Sequence, residues 1–190
     1  MILAAGFGKR LHPLTLNCPK PLLKIGDETL LSNTLKLLKK FGIKQAVINV
    51  HYLGDQIIDY INKNKFNMTI TLIKEKDKIL DTGGGVFNAI NYFSKEPFLI
   101  INPDTIWNMQ YLEELKTMEN EFFTNNQNKC FLLVVNKKQS FDKSFEGDFA
   151  LVNKLISRKK NSGDLRYIYT GLQIIKPEVF FGLNLKVFSM

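Results

Sequence analysis

The residues best placed to do chemistry lie at the start of the chain. Leu3-Ala4-Ala5-Gly6-Phe7-Gly8-Lys9-Arg10-Leu11 runs into His12-Pro13-Leu14-Thr15 and then Pro19-Lys20-Pro21-Leu22-Leu23. Apolar Met1 to Ala5 reads as a buried strand, and Gly6 and Gly8 let the backbone after it approach a ligand with no Cβ in the way. Arg10 and Lys20 bring two fixed cations to the same loop. A nest of backbone N–H groups with an Arg fork and a Lys point charge is the chemistry that binds and neutralises a nucleoside triphosphate. Two better-known glycine loops do not fit. The dinucleotide fingerprint needs a third Gly where Leu11 stands, and the P-loop needs Gly in place of Leu3 and Ser or Thr in place of Arg10. A bare Gly-x-Gly after a strand also fits a tight turn, but the long tail to Pro21 favours the ligand reading.

Two further places have the right residue types. Asp104 follows the apolar run Phe98 to Ile101, and a carboxylate there either shapes a turn or holds a divalent cation. Mg²⁺ suits the second reading, because it takes one or two protein carboxylates and completes its octahedron with phosphate and water. Thr82-Gly83-Gly84-Gly85 reads as a glycine-rich helix start, used either for packing or for close approach to a flat base or sugar ring. His12 and His51 are read as structural.

The elements that must position these residues follow a βαβ rhythm. Leu30, Leu31, Leu35, Leu38 and Phe41 recur at helical spacing up to Gly42, and Gln45 to Val50 is rich in β-formers. Leu53 to Asn62 predicts a helix, Met68 to Ile73 a strand, Val86 to Phe93 a helix, Pro97 to Ile101 a strand and Gln110 to Phe123 a helix. Such alternation implies an α/β fold with a Rossmann-like, mostly parallel sheet covered on both faces, its ligands lying beyond the carboxyl ends of the strands. After residue 130 the rhythm changes. Phe131 to Val135, Phe149 to Val152 and Tyr167 to Ile175 are strand-like, separated by polar stretches at 136–146 and 157–164, which predicts an antiparallel extension of one continuous sheet.

Composition narrows the class. At 190 residues, 45% hydrophobic and 23% charged, the chain suits one core and is short for two domains. No run resembles a signal peptide or reaches the length of a membrane helix. Cys18 and Cys130 have no metal or redox spacing, which points to free thiols and a cytoplasmic location. The net charge of +8 is spread over Lys36, Lys39, Lys40, Lys63, Lys65, Lys74 and Lys76 rather than gathered with aromatics, so neither nucleic acid nor membrane is an expected partner.

The opening run resembles the signature of the sugar-1-phosphate nucleotidyltransferases, Leu-Ala-Ala-Gly-x-Gly-x-Arg-Leu-x-Pro-Leu-Thr followed by Pro-Lys-Pro-Leu, at every fixed position. The similarity continues through Thr82 to Gly85, Asn102 to Asp104 and Tyr169-Thr170-Gly171. The resemblance implies a glycosyltransferase-A-like nucleotidyltransferase fold in a single domain over 1–190, with a nucleotide-binding half (1–125) and a sugar-binding half (126–190). It implies that Arg10 holds the departing pyrophosphate, that Lys20 sits by the α-phosphoryl group and that Asp104 holds Mg²⁺. Leu3, Ala4, Ala5, Gly6, Gly8, Thr82 and Gly83 would contact the nucleotide, and Thr170 and Gly171 the sugar. The partners implied are a nucleoside triphosphate and a sugar 1-phosphate. A sugar 1-phosphate is largely a dianion near neutral pH and attacks the α-phosphorus without a general base, which leaves alignment and charge stabilisation to the protein.

Departures from the pattern bear on the substrate. Pro103 stands where a glycine usually precedes the metal Asp, and Arg158-Lys159-Lys160 stands where many members carry Glu-Lys-Pro. The Thr-Gly-Gly-Gly run is most similar to N-acetylmuramate-1-phosphate uridylyltransferases, with mannose-1-phosphate guanylyltransferases as the close rival. The family pattern continues past the equivalent of Met190 to a Trp-x-Asp-Val-Gly-Thr-Pro-like segment carrying a second metal ligand, and usually has two or three residues before Met1. The chain is therefore expected to be a fragment that binds nucleotide and turns over poorly. The competing readings are a non-catalytic nucleotide-sugar-binding subunit and a nucleic-acid-binding module.

Overall fold

The structure is a computed structural model that describes residues 1–140, 142–144, 146–153, 155–158 and 164–190. In chain order the strands are β1 (Ile2–Leu3), β2 (Lys24–Ile25), β3 (Glu28–Thr29), β4 (Gln45–Val50), β5 (Thr69–Lys74), β6 (Phe98–Ile101), β7 (Cys130–Asn136), β8 (Ala150–Val152), β9 (Leu155–Ser157) and β10 (Tyr167–Ile175). The α-helices are α1 (Leu30–Phe41), α2 (Gly54–Lys63), α3 (Asp81–Asn88) and α4 (Leu112–Thr124).

Six strands form one sheet in the order β5-β4-β1-β6-β10-β7. The pairs β5 with β4, β4 with β1 and β1 with β6 are parallel, whereas β10 runs antiparallel to both β6 and β7. The expected mostly parallel α/β sheet with an antiparallel extension is present, but of the three strands expected to extend one continuous sheet only β7 and β10 do so, because Ala150–Val152 pairs with Leu155–Ser157 in a separate hairpin. β2 and β3 form a small hairpin, as do β8 and β9.

Alternation along the strands explains why both faces are covered. Ala46, Ile48 and Val50 of β4, Ile101 of β6 and Leu172 and Ile174 of β10 face a core completed by Leu31, Leu35 and Leu38 of α1, Ile57 and Ile61 of α2, and Leu115, Met118 and Phe122 of α4. Val47, Phe98, Ile100 and Ile175 point the other way, onto Val86 of α3 with Ala89 and Phe180. Each fully buried aliphatic side chain contributes about 1.5–3 kcal/mol. α1 starts where the Thr29 hydroxyl accepts from Ser32 N–H at 3.0 Å, a cap that satisfies one of the orphan donors of the first turn. Among the described residues no helix is long and apolar enough to cross a membrane.

Two predicted elements change shape. Met1 to Ala5 contributes only Ile2–Leu3 to the sheet, because the chain leaves its neighbours to enter the glycine loop. The helix expected over Val86 to Phe93 instead spans Asp81–Asn88 and encloses Gly83 to Gly85, and Ile90–Phe93 is a separate 3-10 turn. Glycine is a poor helix former, but here tertiary packing requires it. A Cβ on Gly83 would stand 2.3 Å from the Phe188 ring, and one on Gly84 would stand 2.4 Å from the Lys186 carbonyl oxygen.

Candidate active site

The glycine loop leaves β1 at the carboxyl edge of the parallel strands, and its conformation depends on one left-handed residue. Gly8 has φ 65°, and a Cβ there would lie 3.0 Å from Thr15 Cγ2. Thr15 is fully buried and its hydroxyl donates to Gly8 O at 2.9 Å, which draws the loop back on itself. Leu11 N–H donates to the same carbonyl at 2.9 Å and closes the short 3-10 turn Lys9–Leu11 that carries Arg10. Phe7 packs against His51 and Tyr52, with ring centroids 5.8 and 5.4 Å away, and the Tyr52 hydroxyl donates to Thr15 O and Leu16 O. Lys9 lies over the Phe7 ring at 5.3 Å. Tyr52 and His51 directly follow β4, so the sheet itself anchors the loop.

A cleft of about 340 Å³ opens over these strand ends. Leu3, Ala4, Ala5, Gly6, Gly8, Arg10, Lys20, Thr82 and Asp104, all singled out in the sequence, line it. Lys20 Nζ stands 2.5 Å from Asp104 Oδ2, which joins the loop to the turn after β6 across 84 positions of sequence. Both side chains are partly open to solvent, so an entering ligand can reach them. Below Asp104 the turn is pinned by Trp107, whose Nε1 donates to Asn102 O at 2.7 Å.

Three of the residues singled out in the sequence do not line this cleft. Gly83 is buried inside α3 outside the cleft lining, and its N–H donates to Phe188 O at 2.9 Å, as Gly84 N–H does at 3.1 Å. Both amides are thus satisfied by the Phe188 carbonyl. Thr170 and Gly171 also lie outside the cleft lining. Gly171 has φ 88°, and a Cβ there would lie 2.9 Å from Asn102 Cβ, so glycine lets β10 pass close behind Asn102 where β10 shifts register against β7. The Thr170 hydroxyl donates to Leu133 O. Lys159 and Lys160 lie outside the described residues. Cys18 and Cys130 are free.

Sequence reasoning missed Asn49 and Asp81, which also line the cleft. Asn49 had a signal, since it is the polar exception in the buried run Ala46 to Val50. Asp81 is held at φ 62°, with Oδ1 accepting from Thr82 N–H at 2.7 Å, and nothing in the local pattern marked it.

The donor set suits a hard cation in company with phosphate. Asp81 and Asp104 are the cleft's carboxylates, and among the described residues no group of three or more His, Cys, Asp or Glu gathers as a closed metal cage would require. One or two carboxylates with substrate oxygens is the habit of Mg²⁺.

Comparison with known proteins places the chain. The nucleotidyl transferase family model matches residues 1–143, three quarters of its length. The chain belongs to that family. This nucleotidyltransferase is 32% identical over 185 residues to N-acetylmuramate alpha-1-phosphate uridylyltransferase of Neisseria meningitidis, an alignment covering 97% of the chain and 78% of the relative. It is 26% identical over 198 residues to the probable mannose-1-phosphate guanylyltransferase 3 of Oryza sativa, covering 100% of the chain and 53% of that relative. Among solved structures, HddC from Yersinia pseudotuberculosis, also crystallised with GMP-PN, superposes with a TM-score of 0.75 at 22–23% identity, covering 99% of the chain and 80% of HddC. The shared fold is that of the nucleotidyltransferases, and the chain is an enzyme of this class.

Proposed function

We propose that this nucleotidyltransferase condenses a nucleoside triphosphate with a sugar 1-phosphate to give a nucleotide sugar and pyrophosphate, with UTP and N-acetylmuramate 1-phosphate as its substrates. The observation that carries the reading is the meeting of Arg10, Lys20 and Asp104 at one cleft whose floor is the glycine loop. Two cations with backbone amides suit a polyphosphate, and no general base is needed for a phosphate nucleophile that is already ionised. The choice of uridylyl and muramyl partners is supported by the 32% identity to the Neisseria meningitidis enzyme along almost the whole chain.

In this reading the loop from Leu3 to Gly8 cradles the phosphates, and Arg10 in its short 3-10 turn grips the leaving pyrophosphate with two parallel N–H bonds. Lys20 lies between triphosphate and sugar phosphate and exchanges its Asp104 partner for the charge that builds up on the α-phosphoryl oxygens. Asp104 would hold Mg²⁺. When bound, that ion neutralises the phosphate oxygens and fixes their geometry. Thr82 closes the nucleoside side of the cleft.

The 26% identity to the Oryza sativa guanylyltransferase favours GTP with mannose 1-phosphate as the second reading. Pyrophosphate release measured with each of four nucleoside triphosphates against a panel of hexose 1-phosphates separates the two. The expected result is release that requires both UTP and N-acetylmuramate 1-phosphate. Release with no pair, or without any sugar phosphate, overturns the proposal.

A further inference from the structure

Beneath the cleft, a chain of hydrogen bonds ties together two segments of its lining. Ala4 N–H donates to Asn49 Oδ1 at 3.0 Å, Asn49 Nδ2 donates to Glu75 Oε1 at 2.7 Å, and Leu80 N–H donates to Glu75 Oε2 at 2.8 Å. Ala4 belongs to the glycine loop, and Leu80 immediately precedes Asp81 and Thr82. Asn49 is 3% exposed and Glu75 is 4% exposed. The backbone of Glu75 is held as well, its N–H donating to Val50 O at 2.9 Å and its carbonyl oxygen lying 2.6 Å from His51 Nδ1.

The direction of these bonds dictates the residue types. Both ends of the chain are backbone N–H groups, which only donate. Asn49 turns its oxygen toward Ala4 and so presents its NH₂ to residue 75, which then faces two donors. The two donors meet separate oxygens of Glu75, Oε1 and Oε2, and a carboxylate is the side chain that offers an acceptor at both positions. Burying one away from water is costly, so packing alone would favour an apolar residue. Gly85 lies against the pair, since a Cβ there would stand 2.7 Å from Asn49 Nδ2 and 3.0 Å from Glu75 Oε1.

We propose that Asn49 and Glu75 are a pair of positioning residues that set the spacing between the phosphate loop and the Ile79 to Thr82 segment. This inference rests on the nucleotidyl-transfer reading of the cleft. It adds a buried polar strut that acts through Ala4 and Leu80 without touching substrate. A shift of about 1 Å in such a frame costs about 10²-fold in rate even when the chemistry is untouched.

The donor and acceptor pattern supplies its own rescue. Glu75→Gln leaves a donor facing a donor, and Asn49→Asp sets two carboxylates against each other. Combining them restores the pattern. The carboxylate introduced at position 49 accepts from Ala4 N–H and from the amide introduced at position 75, whose oxygen accepts from Leu80 N–H. The test is pyrophosphate release by the full chain, at a temperature where circular dichroism shows each variant folded. In each single variant kcat/KM for the triphosphate is expected to fall about 10²-fold, and in the double variant to return to within about three-fold of the unaltered chain. A folded Glu75→Gln variant that keeps kcat/KM within about two-fold, or a double variant no better than the worse single one, overturns the inference. Should the single variants not fold, Gly85→Ala crowds the pair without changing a polar group. A folded Gly85→Ala protein with raised KM supports the strut, and one with unchanged KM refutes it. Failure of the nucleotidyl-transfer reading shows instead in the unaltered chain, and triphosphate affinity by calorimetry then reads the same variants.

Discussion

Replacing Lys20 by Met keeps the length and apolar stem of the side chain and removes one charge. In the structure Lys20 Nζ lies 2.5 Å from Asp104 Oδ2, with side chains 24% and 34% exposed. Water screens a pair this open, and such pairs contribute about 0–1 kcal/mol to folding. For a domain of this size the expected fall in Tm is therefore no more than about 2–4 °C. The rate is governed by a different quantity. If Lys20 is a preorganised donor aimed at charge that develops only in the transition state, its loss costs about 10²- to 10³-fold in kcat, or about 2.7–4 kcal/mol. The two figures differ enough for one pair of measurements to separate them: pyrophosphate release at saturating triphosphate and sugar 1-phosphate, and thermal unfolding followed by circular dichroism. A Lys20→Met protein whose kcat stays within about ten-fold of the unaltered chain, or whose lost rate is matched by lost fold, refutes the assignment of charge stabilisation to this side chain.

Gly8→Ala forces a left-handed backbone on a residue with a Cβ, at about 1–2 kcal/mol, and crowds Thr15; lower Tm and weaker triphosphate binding by calorimetry are expected, and unchanged values of both would count against the loop as drawn. Asp104→Asn removes the cleft carboxylate that faces Lys20, and the Mg²⁺ concentration giving half the maximal rate should rise; an unchanged Mg²⁺ dependence would move the metal site elsewhere. Trp107→Phe removes the donor to Asn102 O in a site 1% exposed, so urea denaturation should show a loss of about 1–3 kcal/mol. Gly83→Val pushes on the Phe188 ring, and hydrogen exchange at residues 186–190 should quicken; protection equal to that of the unaltered chain would mean that the ring has another seat.

Much of the fold was legible because it is written in local periodicity. The apolar spacing from Leu30 to Phe41 predicted α1 with its boundary at Gly42, and the β-rich run Gln45–Val50 is β4 to the residue. The antiparallel turn of the chain after residue 130 followed from short strands broken by polar stretches, and β10 has the predicted bounds Tyr167–Ile175. Gly83 to Gly85 do lie at a helix start, as read, but that helix spans Asp81–Asn88 instead of running on to Phe93. Contact explains the glycines there: the Phe188 ring, the Lys186 carbonyl and the Asn49 side chain come too close for a Cβ.

The candidate site divides along the same line. Residue types and their spacing set the chemical vocabulary: a glycine loop bearing Arg10 and Lys20, an Asp at a strand end, and a pattern that belongs to one enzyme family. Strand order and packing select which groups meet. Lys20 reaches Asp104 because β1 and β6 are neighbours in the sheet, and Asn49 reaches Ala4 and Glu75 because β4 lies between β1 and β5. Packing also turned the Gly83 N–H to the Phe188 carbonyl and set Gly171 behind Asn102. Periodicity reports on neighbours three or four residues apart in a helix and two apart in a strand. Contacts across 26 to 84 positions depend on strand order and on which side chains the packed faces bring within hydrogen-bond reach.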